Sequence, residues 1–127
     1  MIVVDASAAV AALLNAGPAR HALSHETLHA PHLVDSEVAQ ALLRLVLRGT
    51  LRAGDGWAAL DSWRRLGVVR SSVSGLLGRV WELRENVSAY DASYLALAEA
   101  LGCGLMTADA RLSRAPGLRC PVTVVPG

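Results

Sequence analysis

The 127-residue sequence contains no phenylalanine and no lysine. Aromatic residues reach only 4%, so any core must be built from Ala, Leu and Val. The missing lysine excludes a Walker-type phosphate loop and Schiff-base chemistry, because each requires the Lys amine. All 12 basic residues are therefore arginine, a bias that GC-rich codon usage explains without reference to mechanism. The two cysteines, Cys103 and Cys120, fit no C-x-x-C spacing and are too few for a disulfide scaffold or a thiolate metal site. They read as buried or incidental thiols. No apolar run approaches the roughly 18 residues of a membrane span, and the start M-I-V-V-D lacks the basic leader of a secretory signal, so the expectation is a cytosolic protein. The 12 basic and 11 acidic residues leave a net charge of +1, which diagnoses no partner.

What is present is apolar: 53% hydrophobic against 18% charged residues, the balance of a compact fold. The length matches one domain, 1–127. Along the chain, the β-branched run at 2–4 reads as a strand and A-S-A-A-V-A-A-L-L as a helix ended by Asn15-Ala16-Gly17-Pro18. A second helix is expected around 19–26, then an extended T-L-H-A-P. Asp35 to Arg48 has the clearest helical periodicity, with Val38, Leu42, Leu45 and Val46 on one face and Gly49 beyond its end. Residues 55–66 form a further helix with Trp57, Leu60 and Trp63 at intervals of three, followed by a V-V-R strand. Ser74 to Glu85 reads as helix. Ser88 opens the helix Y-D-A-S-Y-L-A-L-A-E-A-L, which ends at Gly102 and hands over to the strand Leu105-Met106-Thr107. V-T-V-V at 122–125 closes the chain. Short apolar strands alternating with helices predict an α/β fold, a mostly parallel sheet of four or five strands with helices on both faces.

In such sheets ligands bind beyond the carboxyl ends of the strands. Asp5 directly follows I-V-V and Asp109 follows G-L-M-T-A. Glu37 and Asp91 sit in the first turns of strong helices, whose starts gather at the same edge. Each acid alone reads as a helix cap or a dipole partner. Four together repel one another unless a cation neutralises them, and an all-oxygen set suits Mg²⁺ or Mn²⁺. Ser7 and Thr107 stand beside these acids, where they read first as local caps and alternatively as hydrogen-bond donors to the carboxylates.

The strings V-V-D-A-S, E-V-A-Q-A-L-L-R, Y-D-A-S-Y-L-A-L-A-E-A-L-G and L-M-T-A-D-A-R-L together resemble the ordered acidic motifs of the PIN-domain family. The similarity is closest to toxin ribonucleases of the VapBC type and spans essentially the whole chain. It implies a divalent-metal-dependent endoribonuclease with Asp5, Glu37, Asp91 and Asp109 as its acidic quartet. Asp5 and Asp91 would be the main metal ligands, Asp109 a direct or water-mediated ligand, and Glu37 a ligand or an orienter of the attacking water. It also implies a homodimer inhibited by a small VapB-type antitoxin. Arg44, Arg48, Arg111 and Arg114 are candidates for RNA phosphate contacts, against the plainer reading of solvated charge or salt bridges. Outside the quartet, the 12 arginines face the seven remaining acids, so a negative site sits within a chain otherwise carrying +5. The alternative from another class is a catalytically silent PIN-like module that binds RNA or protein.

One rival motif is literal: His25-Glu26-Thr27-Leu28-His29 matches the zinc-protease signature H-E-x-x-H. That chemistry needs one helix to carry both histidines, and Ala30-Pro31 argues for extended chain there. A phospho-receiver domain also gathers acids around Mg²⁺, but calls for a lysine this chain lacks. Trp57, Trp63 and Trp81 are candidates for stacking on bases, although helical spacing makes Trp57 and Trp63 core or dimer-interface residues first.

Overall fold

The I-V-V run becomes β1 (Ile2–Val4), the central strand of a five-stranded sheet in a computed structural model that describes all 127 residues. Around it lie β2 (Leu28–Pro31), β3 (Val69–Ser71), β4 (Gly104–Thr107) and β5 (Val122–Val124), in the order β3-β2-β1-β4-β5. Every pairing is parallel. This matches the expected α/β architecture, with all strands rather than most of them parallel.

The helices are α1 (Ala6–Leu14), α2 (Pro18–His25), α3 (Val34–Leu47), α4 (Ala53–Arg65), α5 (Leu77–Glu82), α6 (Ala89–Leu101) and α7 (Ala110–Ser113). Helices α1 to α4 pack on one another as one layer, α6 lies across β1, β2 and β4 with α5 against it, and α7 packs on β5. Alanine makes this close packing possible: Ala8, Ala9, Ala11 and Ala12 of α1 are buried, so the helix backbone sits near its neighbours. Seven consecutive residues of α6, Ala92 to Ala98, are buried, the pattern of a helix enclosed on all sides rather than on one stripe. Ser88 caps its start by accepting from the Asp91 N–H at 3.1 Å, and Gly102 ends it in the left-handed conformation at φ 66°.

Three polar ties fasten the layers. Asp35 accepts from the Trp63 indole at 2.9 Å and takes both Nε and Nη2 of Arg70, joining α3, α4 and β3. The Arg79 guanidinium grips Glu99 at 2.7 and 3.2 Å and donates to the Gly117 carbonyl, joining α5, α6 and the loop before β5. Asn86 reaches the Pro116 carbonyl at 2.9 Å from the loop between α5 and α6.

Several expectations need correction. The segment 74–85 is a 3₁₀ turn, Ser74–Leu76, followed by the short α5, which closes where Leu83 turns into the core. The single turn α7 was not expected at all. Trp57 and Trp63 do not share a face: positions three apart fall about 60° short of a full turn, so Trp63 is buried while Trp57 is 59% exposed. Other readings hold: as Ala30-Pro31 implied, the H-E-x-x-H string is split, with His25 ending α2, Glu26 extended and His29 in β2, so one helix never carries both histidines. Cys103 and Cys120 are free and half-buried, and burial pushes the Cys120 thiol up to about 11.

Candidate active site

Strand order and register build the site. The order in which strands are added reverses between β1 and β4, the switch point at which parallel sheets bind ligands. Val4 pairs with Met106, so the next residues, Asp5 and Thr107, emerge side by side at the carboxyl edge. The Asp5 N–H bonds the Met106 carbonyl at 3.2 Å and fixes that juxtaposition. Helices α3 and α6 return from this edge, so their first turns carry Glu37 and Asp91 to it.

Asp5 is buried and heavily engaged. Its Oδ1 accepts from the Ser7 hydroxyl at 2.7 Å and from the Ala8 N–H at 2.9 Å, and its Oδ2 accepts from the Thr107 hydroxyl at 2.5 Å. Three of roughly four acceptor positions on the carboxylate are thus used, which orients it and leaves one position for a ligand. Burial nonetheless pushes Asp5 above the usual carboxylate range, and the Asp109 charge adds to this against the hydrogen bonds. Ser7 and Thr107 therefore do more than cap. Ser7 also accepts from the Ala108 N–H at 2.9 Å, and Thr107, fully buried, accepts from the Asp109 N–H at 3.0 Å.

Glu37 and Asp91 are likewise pushed up, first by burial and then by neighbouring carboxylates: Asp91 and Asp5 act on Glu37, while Asp5 and Asp109 act on Asp91. Tyr94, reached across 57 residues and almost fully buried on α6, donates its hydroxyl to Glu37 Oε1 at 2.6 Å. Burial and the Glu37 carboxylate push Tyr94 far up, so its proton stays in that bond. Tyr94 closes the Y-D-A-S-Y string, but that motif assigned it no role in the site. The Ser88 hydroxyl, which accepts from the Asp91 N–H, also favours the Asp91 carboxylate by hydrogen bonding and so partly opposes the shift.

Asp109 behaves differently. It caps α7 through the Arg111 N–H at 3.0 Å, and the Arg111 guanidinium lies on its carboxylate at 2.6 to 3.2 Å. Arg111 holds Asp109 below the usual range. The arginine expected to meet RNA phosphate is thus placed against an acid of the quartet. Arg114 lines a cleft of about 700 Å³ together with Arg84, Ser88, Asp91 and Arg111. Arg84 was not singled out from the sequence, because no motif surrounds it. Arg44 and Arg48 are exposed about two and three turns beyond Glu37 on α3, and neither lines the cleft.

The four acids thus meet at one edge and feel one another's charge, yet no three of them stand close enough, as oriented, to hold one ion. A hard divalent ion of the Mg²⁺ type is commonly bound through one or two carboxylates with several waters and a substrate phosphate, so a closed cage is not its signature. The donor set fits such an ion: oxygen only, negative, partly desolvated, with Asp5 held in place and Asp91 unneutralised.

The model of the PIN domain family matches residues 2–118. Ribonuclease VapC9 of Mycobacterium tuberculosis is 63% identical over 126 residues, covering 99% of each chain. Among solved structures, VapC20 of M. tuberculosis, a sarcin-ricin loop cleaving toxin, superposes with a TM-score of 0.64 at 22% identity, covering 93% of this chain and 96% of that one. VapBC2 of Rickettsia felis, bound to a DNA fragment from its promoter, gives 0.67 at 17% identity, covering 97% and 99%. Both superpositions bear on the fold.

Proposed function

The chain belongs to the PIN-domain family as a VapC-type ribonuclease toxin, and from that premise we propose that it cleaves RNA with a divalent ion held chiefly by Asp5 and Asp91, with Asp109 as a direct or water-mediated ligand and Glu37 beside it. One observation carries the reading: four carboxylates from four separate segments converge at the switch point of the sheet, and burial and mutual repulsion push three of them up. When bound there, Mg²⁺ or Mn²⁺ supplies charge neutralisation, a water of lowered pKa and a Lewis acid for the scissile phosphate.

The chain's own residues do the rest. Thr107, Ser7 and the Ala8 N–H fix the Asp5 carboxylate, so no side-chain reorientation is needed there before an ion binds. Tyr94 pins one oxygen of Glu37, leaving Oε2 without a protein partner and able to orient a water or take its proton. Arg111, paired with Asp109 at 2.6 Å, would be free to meet a phosphate if Asp109 turned to a bound cation instead. Arg114 adds positive charge at the cleft.

The partners follow from the family. We assign a VapB-type antitoxin as inhibitor, a homodimer as the working unit and the cytoplasm as the place of action. No helix is long and apolar enough to cross a membrane. The exposed apolar residues Leu43, Leu47 and Trp57 on α3 and α4 support a protein partner on that side. The Arg111–Asp109 pair is the one feature that favours a catalytically silent module instead. RNA cleavage by the purified chain separates the two: the enzyme cleaves with Mg²⁺ or Mn²⁺, and loses activity in EDTA and in Asp5→Asn and Asp91→Asn. Cleavage that persists in EDTA or in both variants overturns the mechanism.

A further inference from the structure

Two of the three tryptophans are exposed, and their surroundings differ. Trp57 lies in an apolar recess with Leu43, Val46 and Leu60, the setting of a protein contact. Trp81, on α5, is 68% exposed, and the Arg84 guanidinium lies over its ring at 5.2 Å while donating to the Trp81 carbonyl at 2.9 Å. Arg84 also lines the cleft that holds Asp91. Tyr90 precedes Asp91 in sequence and is 67% exposed, but it does not line the cleft. Arginines along a groove flanked by exposed aromatic rings are the arrangement that binds single-stranded nucleic acid, the cations tracking phosphates and the rings stacking on bases. Both exposed rings carry a guanidinium, Arg84 over Trp81 at 5.2 Å and Arg64 over Trp57 at 6.0 Å, but only Arg84 also lines the cleft that holds Asp91.

The cleft is also held in shape. One wall is the loop between α5 and α6 and the other is α7 with the segment after it, and Asn86 ties the first to the second through the Pro116 carbonyl. Arg79 adds a bond to Gly117. Arg84 and Arg114 form no ion pair with any acid, so their charge faces an occupant uncompensated except by Glu85 and Asp91 on the lining.

We propose that Trp81 and Arg84 form a stacking platform for an unpaired base of the RNA, flanking the scissile position, with Arg84 and Arg114 on the adjoining phosphates. This rests on the ribonuclease reading of the acidic cluster. Recognition of RNA through unstacked bases in loops and single strands is the general way in which RNA sequence is read.

The test is fluorescence anisotropy of a short fluorescein-labelled single-stranded RNA in EDTA, so that binding is measured without cleavage. Trp81→Ala should raise Kd about tenfold, the order expected for loss of one stacking ring, while Trp81→Tyr should recover most of the affinity. Arg84→Ala should reduce the dependence of log Kd on log salt by about 0.7, the share of one phosphate contact on a single strand. RNA should quench the intrinsic fluorescence of the wild type, and the quench should vanish in Trp81→Tyr although binding persists. Wild-type Kd in Trp81→Ala, or an unchanged quench in Trp81→Tyr, overturns the platform. So does an unchanged Kd accompanied by loss of self-association, which would make Trp81 a protein contact. Cleavage assays with Mg²⁺ keep the two readings apart: active wild type with unchanged KM in Trp81→Ala removes the platform alone. Trp81-dependent binding by an inactive wild type removes the ribonuclease reading and leaves the platform standing.

Discussion

Replacing Thr107 by valine tests the site's architecture, since the two side chains have nearly the same shape and differ by a hydroxyl in place of a methyl group. The residue is fully buried, so no water takes over. Its hydroxyl donates to Asp5 Oδ2 at 2.5 Å and accepts from the Asp109 N–H at 3.0 Å. Loss of a hydrogen bond to a charged group costs about 1.5–3 kcal/mol, and the partly buried N–H left unpaired adds about 1 kcal/mol, so the variant should lose about 3 kcal/mol near neutral pH. For a domain of this size that is a fall in Tm of about 10 °C. The penalty should also depend on pH. Folding raises the pKa of Asp5, so its contribution to stability is full below the unfolded value and is lost as pH rises through the folded one. Thr107→Val removes a bond that favours the carboxylate and raises the folded value further. The difference between variant and wild type must therefore grow from about pH 4 to about pH 7.5. Urea unfolding of wild type, Thr107→Val and Thr107→Ser at both pH values, in EDTA, measures it. Serine should restore most of the loss. A penalty below about 1 kcal/mol, or one equal at the two pH values, refutes the reasoning.

Tyr94→Phe should leave the fold intact and lower kcat more than it raises KM, with the acid limb of the pH–rate profile moved to higher pH, because Tyr94 favours the Glu37 carboxylate; an unmoved acid limb would count against this. Asp91→Asn should stabilise the metal-free protein by about 0.5 kcal/mol, since it relieves repulsion at a half-exposed site and breaks little else. The same variant should lose the rise in Tm that Mn²⁺ gives the wild type, as read by thermal unfolding with and without the ion. Glu99→Ala should cost about 3 kcal/mol in urea unfolding, because it leaves Arg79 without its mostly buried partner. Burial opposes ionisation of Glu99, but Arg79 and the Arg119 N–H hold it below the usual range, so its contribution is lost as pH falls through its folded value.

The acidic positions were legible because each falls where a local pattern changes: I-V-V stops at Asp5, and the starts of α3 and α6 place Glu37 and Asp91 in their first turns. The α/β class was legible for the same reason, in that short β-branched runs alternate with amphipathic stretches. Strand order was not, since β1 pairs with β4 across about 100 residues and no local signal records it. Hence the Tyr94–Glu37 bond was out of reach although Glu37 was in view, while the Thr107–Asp5 bond was legible only as one of two roles for a hydroxyl beside the acids. Arg111 was read as a hand for phosphate, while its spacing of two from Asp109 across a one-turn helix brings it back onto the acid. Arg84 and Trp81 sit in a short helix and the turn after it, where periodicity is too brief to show a face.

The most direct measurement is an anomalous difference map at the manganese edge from crystals of the wild type grown or soaked with Mn²⁺. A peak among the carboxylates of Asp5, Asp91 and Asp109, absent from Asp91→Asn crystals treated in the same way, is the predicted result. Density showing no ion there, with Arg111 still on Asp109 at saturating Mn²⁺, would contradict a metal-dependent nuclease.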